Sequence, residues 1–312
     1  MNNQTMNMYA THSNTQSPRL SSCFQPDRTD PVMSLFLTAG FPTLDDSLDL
    51  ILGFEQNGAD IIELGMPFSD PLADGPSIQF ASQTAIRNGV TISWILDLVR
   101  EVRKHSSIPI VLMGYLNPLL HYGSDRLIRD AAEAGVDGFI LPDLPVGEMP
   151  SIAESIRTHG MDLIQLVAPN TSAERMKEID EQSSGFVYCV SVTGVTGARE
   201  GEEVARSVDR FIDRVVENVT LNPKMIGFGI KNHENAMQVS KRVQGFIVGS
   251  ALVERVRATA MREADAHQPE LGHMNAESAE MKSSEVRSSA DKTSTDWKED
   301  LFRFVRHLKF GD

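Results

Sequence analysis

Cysteine is nearly absent: Cys23 and Cys189 are the only two in 312 residues. Cys23 stands in a polar stretch and Cys189 in an apolar run, which argues against a structural disulfide and fits a reducing compartment. Cys189 reads as a buried, inert thiol. Long apolar runs are missing too. No stretch reaches the roughly 18 consecutive apolar residues of a membrane span, and the first residues lack the basic-then-apolar pattern of a secretory leader. A cytoplasmic chain without membrane association is the expectation. Positive charge is also scarce. The formal net charge is −14, with no basic run to reverse it locally, so nucleic acid and anionic membranes are repelled. A phosphorylated ligand would need a local site that works against this field. His267 and His273 are six residues apart with no cysteine nearby, which argues against a metal site.

Two stretches lack the apolar content needed to fold. Residues 1 to about 30 are rich in Asn, Ser, Thr and Gln and are expected to form a flexible tail. From about 258 to 296 there is no aromatic residue, and Leu271 and Val286 are the only branched apolar ones. Such a segment buries too little area to offset its ordering entropy, and is expected to be a flexible insertion. After it, Trp297, Leu301, Val305 and Leu308 recur at helical spacing and predict a final amphipathic helix.

What is present between these stretches is a recurring phrase. Gly58-Ala-Asp leads into Ile61-Ile-Glu-Leu, Gly135-Val-Asp into Gly138-Phe-Ile-Leu, and Gly160-Met-Asp into Leu163-Ile-Gln-Leu. An amphipathic segment closes on a Gly suited to a helix C-cap, and a short apolar run follows, as in a repeating βα unit. Eight such runs, near 33–38, 60–64, 109–113, 138–142, 163–167, 186–190, 225–228 and 245–248, alternate with helical segments. That order and length predict a single-domain (β/α)8 TIM barrel with extra helices. An open doubly wound sheet would more often have fewer strands and a Gly-rich turn after the first.

In the second run, Ile61, Glu63 and Gly65 share one face, and Ile62 and Leu64 share the other. Ile62 and Leu64 are assigned to the surrounding helices, which turns Glu63 into the barrel near the C-terminal end of its strand. A carboxylate there is costly without a partner or a task, and that end of a barrel is where catalytic groups cluster. None of the eight runs carries a cation to pair with it. An unpaired interior Glu has a raised pKa, which suits proton transfer. Asp74, eleven positions on, lies in a loop with Pro67, Pro71, Gly75 and Pro76. Spacing alone leaves it open between a turn residue and a catalytic one.

Three Gly-containing segments fall at strand ends: Thr193-Gly-Val-Thr-Gly, Gly227-Phe-Gly-Ile and Val248-Gly-Ser-Ala-Leu-Val. Loops after the seventh and eighth strands form the recurrent phosphate site of such barrels. Gly249 and Ser250 directly precede an apolar helical run, so a phosphate could rest on that helix N-terminus without Lys or Arg.

Taken together, these segments resemble a known family. IELGMPFSDPLADGPSIQ at 62–79 is similar to the signature of the tryptophan synthase alpha subunits. FLTAGFP at 36–42, LMGYLNP at 112–118, LPDLPVGE at 141–148, TGVTGARE at 193–200, GFGI at 227–230 and VGSALVE at 248–254 follow in the family's order. The resemblance covers about 30–257 and the last helix. It implies retro-aldol cleavage of indole-3-glycerol phosphate to indole and glyceraldehyde 3-phosphate. Glu63 would then be the main acid–base group, Asp74 the acceptor of the indole N–H, and Tyr188 an active-site tyrosine near Glu63. Phe186, Tyr188 and Val190 alternate inward, in agreement with this, although a core tyrosine with a satisfied hydroxyl has the same pattern. Phe36 would flank the indole, Thr196 would contact Asp74 on loop closure, and Gly197, Gly229, Gly249 and Ser250 would hold the phosphate.

The resemblance further implies an αββα assembly, contacted through the Asp70 loop and the loop after the sixth strand. Indole would pass to a β subunit that carries pyridoxal phosphate, with no cofactor and no metal in this chain. The chain departs from the family at Phe41, where Asp is frequent, and at Arg242-Val-Gln-Gly before the eighth strand. Three alternatives stay open from sequence: a lyase that works without a β partner, a sugar-phosphate epimerase or isomerase, and a catalytically silent phosphate-binding barrel. Intact Glu63 and Asp74 argue against the last. The lack of metal-binding His and Asp residues at strand ends argues against the second.

Overall fold

The computed structural model describes residues 16–72, 74–190, 202–227, 229–266 and 297–312. Eight strands close into a barrel in sequence order: β1 (Val32–Thr38), β2 (Ile61–Gly65), β3 (Ile110–Met113), β4 (Gly138–Ile140), β5 (Asp162–Val167), β6 (Val187–Val190), β7 (Lys224–Gly227) and β8 (Gly245–Val248). Every pairing is parallel, and β8 returns to β1 through Val32 opposite Gly245. The open doubly wound sheet is thereby ruled out.

Helix α1 (Pro18–Ser22) precedes the barrel, and α2 (Asp46–Gln56) follows β1. After β2 come α3 (Pro76–Arg87) and α4 (Ile92–Arg103); after β3, α5 (Leu116–Tyr122) and α6 (Ser124–Ala134). Single helices α7 (Pro150–Thr158), α8 (Ala173–Gln182), α9 (Glu202–Asn218) and α10 (His233–Ser240) follow the next four strands. Helix α11 (Ser250–Ala266) follows β8, and α12 spans 297–310. The glycine of each repeated phrase does what its position predicts: Gly58, Gly135 and Gly160 all have positive φ, where a side chain would be strained.

Strand alternation separates two cores. Val32, Ile61, Val111, Ile140, Ile164, Phe186 and Met225 fill the barrel interior, while Leu35, Ile62, Leu64 and Leu112 pack outward among the helices. Ile62 and Leu64 therefore face the helices as predicted, which leaves Glu63 on the inner face.

The 1–30 tail needs correction, because its second half is part of the fold. Ser17 caps α1 by accepting from the Leu20 amide. Leu20 is fully buried and Phe24 packs its ring on Phe186, centroids 6.1 Å apart. The Ser17 hydroxyl and Arg19 both donate to Asp137, at 2.6 and 2.8 Å, and Arg103 bonds the other oxygen of that carboxylate at 2.8 Å. Asp162 accepts from the backbone amides of Gln16 and Ser17. A short apolar motif in a polar setting becomes ordered because it closes the N-terminal end of the barrel.

The insertion boundary shifts as well. Helix α11 runs on to Ala266 rather than ending near 258, and 267–296 lie outside the described residues. Trp297, Leu301, Val305 and Leu308 are buried, as their spacing predicts. At the end of α12, the buried Lys309 ammonium bonds Asp30 at 2.9 Å and Asp60 at 2.8 Å, which ties the last helix to the start of β1 and β2. Among the described residues no helix is long and apolar enough to cross a membrane.

Candidate active site

Glu63 sits on β2 in register with Phe36 of β1 and Val111 of β3. It is wholly shielded from solvent. Its Oε1 accepts a hydrogen bond from the Ser34 hydroxyl at 2.8 Å, and among the described residues its Oε2 has no partner. Burial lifts its pKa to about 8, the Ser34 bond opposing that rise only in part. Among the described residues no neighbouring cation contributes. The sequence reading placed no cation on any strand, and here the strand boundary matters: β7 begins one residue earlier, at Lys224. Lys224 faces outward, where its Nζ donates to the Val219 carbonyl, and it leaves Glu63 unpaired.

Tyr188 on β6 faces the same interior, 8% exposed. Burial first, and then the nearby Glu63 charge, push its hydroxyl well above the ordinary tyrosine range, so it is a neutral hydrogen-bonding group rather than a base. Room for its ring comes from Gly227. A Cβ at that position would lie 2.5 Å from the Tyr188 hydroxyl oxygen. The first glycine of GFGI therefore serves the tyrosine, whereas Gly229 is exposed with φ +55°. Gly65 does for Phe36 what Gly227 does for Tyr188, since a Cβ there would meet the Phe36 ring at 2.6 Å.

Asp74 approaches from the loop after β2. Its carboxylate bonds Tyr115, the second residue after β3, while Gln79 Nε2 donates to its carbonyl at 2.9 Å. Desolvation raises its pKa despite the Tyr115 bond. A cavity of about 30 Å³ lies beside it, lined by Phe36, Thr38, Gly65, Met113 and Tyr115. Thr38 Oγ1 is buried there without a partner among the described residues. Glu63 is not among the residues that line this cavity.

The third component is the N-terminus of α11. The Leu252 and Val253 amides bond the Gly249 carbonyl, which makes Gly249 the residue at which the helix starts. Ser250 is exposed at that start. The amides of the first turn thus point from the end of β8 toward the mouth, beside the end of β7 and Gly229. This is the geometry that attracts a phosphate. Thr196 and Gly197, expected to complete the site, lie outside the described residues.

Glu63, Tyr188 and Phe36 thus meet on the inner wall, Asp74 stands over the mouth, and Gly229, Gly249 and Ser250 share one rim. Sequence reasoning missed Ser34, Thr38 and Tyr115. A signal existed for the first two: Ser34 and Thr38 alternate with Phe36 as polar positions on the inner face of an otherwise apolar strand. Tyr115 stood inside the quoted LMGYLNP segment. Among the described residues no group of three or more His, Cys, Asp or Glu side chains is disposed to hold a metal ion.

Comparison with known proteins agrees with this architecture. A family model described as tryptophan synthase alpha chain matches residues 25–285. That match runs into the 258–285 stretch, which the motifs had left outside the resemblance. The tryptophan synthase alpha chain of Caldanaerobacter subterraneus subsp. tengcongensis is 48% identical over 221 residues, covering 71% of this chain and 83% of that one. Among solved structures, the alpha chain from Legionella pneumophila superposes with a TM-score of 0.72 at 30% identity, covering 93% of this chain and 95% of that one. A chain of the tryptophan synthase α2β2 complex of Pyrococcus furiosus gives a TM-score of 0.73 at 33% identity, covering 89% and 98%.

Proposed function

Because this chain belongs to the tryptophan synthase alpha chain family, it is a carbon–carbon lyase of tryptophan biosynthesis, and we propose the following roles for its residues. The family's reaction splits indole-3-glycerol phosphate into indole and glyceraldehyde 3-phosphate. The indole C3 must gain a proton so that it can leave, and the adjacent side-chain hydroxyl must lose one as its carbon becomes the aldehyde. Glu63 gives the first proton and receives the second, so the cycle balances without an external acid or base. Asp74 accepts from the indole N–H, which drives electron density toward C3. Phe36 packs against the indole, and the Tyr188 hydroxyl is a neutral hydrogen-bonding partner to the reacting centre.

The phosphate rests on the N-terminus of α11 at Gly249 and Ser250, with Gly229 beside it; Gly197 is assigned to the same phosphate and Thr196 to Asp74. The observation that carries the assignment is the wholly buried Glu63 carboxyl, which among the described residues has one hydrogen bond, one unpartnered oxygen and no cation. Buried carboxyls with raised pKa values cluster at sites of proton transfer.

The partner is a tryptophan synthase β subunit, which carries the pyridoxal phosphate; this chain binds none itself. Support comes from the α2β2 assembly of the Pyrococcus relative and from apolar side chains on the rim. Leu72 after β2 is 97% exposed, and Leu120 and Met149, after β3 and β4, are also exposed. Uncovered apolar residues on the segments that follow three adjacent strands suit a docking face. A cytoplasmic location belongs to the same proposal. The test is indole release from indole-3-glycerol phosphate, measured with the chain alone and after adding a β subunit. Slow release that the β subunit stimulates many-fold is expected. Full activity alone would refute dependence on the partner, and no indole under either condition would refute the lyase assignment.

A further inference from the structure

We infer that Ser34 is a positioning residue for Glu63, whose carboxyl it holds in place and whose charged form it favours. The inference rests on the reading of Glu63 as the proton-transfer group. Ser34 is in register with Ile61, whereas Glu63 is in register with Phe36, two residues further along β1. To accept from Ser34 at 2.8 Å, the carboxyl leans back along its strand toward the N-terminal end. The cavity beside Asp74 lies the other way, among Phe36, Thr38 and Gly65. One hydrogen bond therefore sets where the carboxyl rests, because Oε2 has no partner to compete with it.

Packing gives no other reason for a serine here. Ser34 is fully buried on the inner face of β1, where Val32 and Phe36 are its apolar companions. A buried hydroxyl is unfavourable unless bonded, and its described bond is to Glu63. The groups that face Glu63 are few. β1 presents Ser34 and Phe36, β3 presents Val111, and across the barrel β6 presents the neutral Tyr188. Among the described residues Ser34 is thus the one donor bonded to Glu63, and it stabilises the carboxylate formed when Glu63 has given up its proton.

Ser34→Ala removes that donor without adding bulk. A hydrogen bond to a charged group shifts a pKa by about one unit or more. The limb on which activity falls as Glu63 ionises should therefore move upward by about one pH unit in Ser34→Ala. Loss of a bond that strengthens during the reaction lowers kcat by about tenfold, and KM stays nearly constant because Ser34 acts only through Glu63 and not on the phosphate grip. Ser34→Thr restores both, since it returns the hydroxyl.

The experiment is the pH profile of indole release by the αβ complex, for wild type, Ser34→Ala, Ser34→Thr and Glu63→Gln. The expected result is an upward shift with reduced kcat in Ser34→Ala, recovery in Ser34→Thr, and no turnover in Glu63→Gln. An unshifted profile for Ser34→Ala beside an inactive Glu63→Gln overturns the Ser34 inference alone. So does a loss that Ser34→Thr fails to recover. Turnover that survives in Glu63→Gln overturns the reading of Glu63 itself.

Discussion

Replacing Glu63 with Gln should make the protein more stable, and increasingly so as pH rises. The unfolded chain releases the Glu63 proton near pH 4.5, whereas the folded protein holds it to about 8. A group whose folded pKa is raised contributes its stability below the unfolded value. That contribution is lost as pH climbs through the folded one. Each pH unit of separation corresponds to roughly 1.4 kcal/mol, so the penalty grows by about 4 kcal/mol between about pH 5 and about pH 8, then levels off. Glutamine keeps an oxygen to accept from Ser34 but cannot ionise, so its variant escapes the penalty.

The assay is urea unfolding of wild type and Glu63→Gln at matched pH values, with the difference in unfolding free energy plotted against pH. All other titrations cancel in that difference. The expected curve is small near pH 5, rises steadily to pH 8, and is flat beyond. Two parallel stability curves would refute the reasoning, because they would mean that Glu63 ionises freely inside the barrel.

Two further perturbations bear on the fold and the cavity. Thr38→Val removes a buried hydroxyl that has no partner among the described residues and should raise stability by about 1 kcal/mol; a lower melting temperature would show that the hydroxyl is bonded. Leu20→Ala should cost about 2–5 kcal/mol in chemical denaturation because α1 is part of the core; a change of a few tenths would return residues 16–30 to a loose tail.

Glu63 could be read from the sequence because strand alternation is a local property. The apolar neighbours Ile62 and Leu64 had to face the helices, and that alone turned Glu63 inward. Its partner could not be read in the same way. Ser34 lies 29 residues earlier, and only the β1–β2 register joins the two. Tyr115 reaches Asp74 across the mouth from the end of another strand, a meeting that no spacing rule describes. Helix α1 was hidden by composition: Ser17, Leu20 and Phe24 are too few to mark a folded segment, yet a closed barrel end makes their burial favourable. Lys224 shows how a boundary error of one residue matters. It brings a cation into β7, and the parity of the strand then turns that cation away from Glu63. That the segments carrying Gly229 and Gly249 follow neighbouring strands was legible, because barrel order fixes that β7 and β8 adjoin.

The central claim is that a buried, proton-holding Glu63 carries out cleavage of indole-3-glycerol phosphate at a site whose phosphate grip is separate from it. The most direct test measures substrate binding and single-turnover indole formation side by side for wild type and Glu63→Gln. Near-normal binding with indole formation reduced at least a thousandfold, roughly the loss of a general acid–base group, is the predicted outcome. Indole formation at the wild-type rate in Glu63→Gln would contradict it.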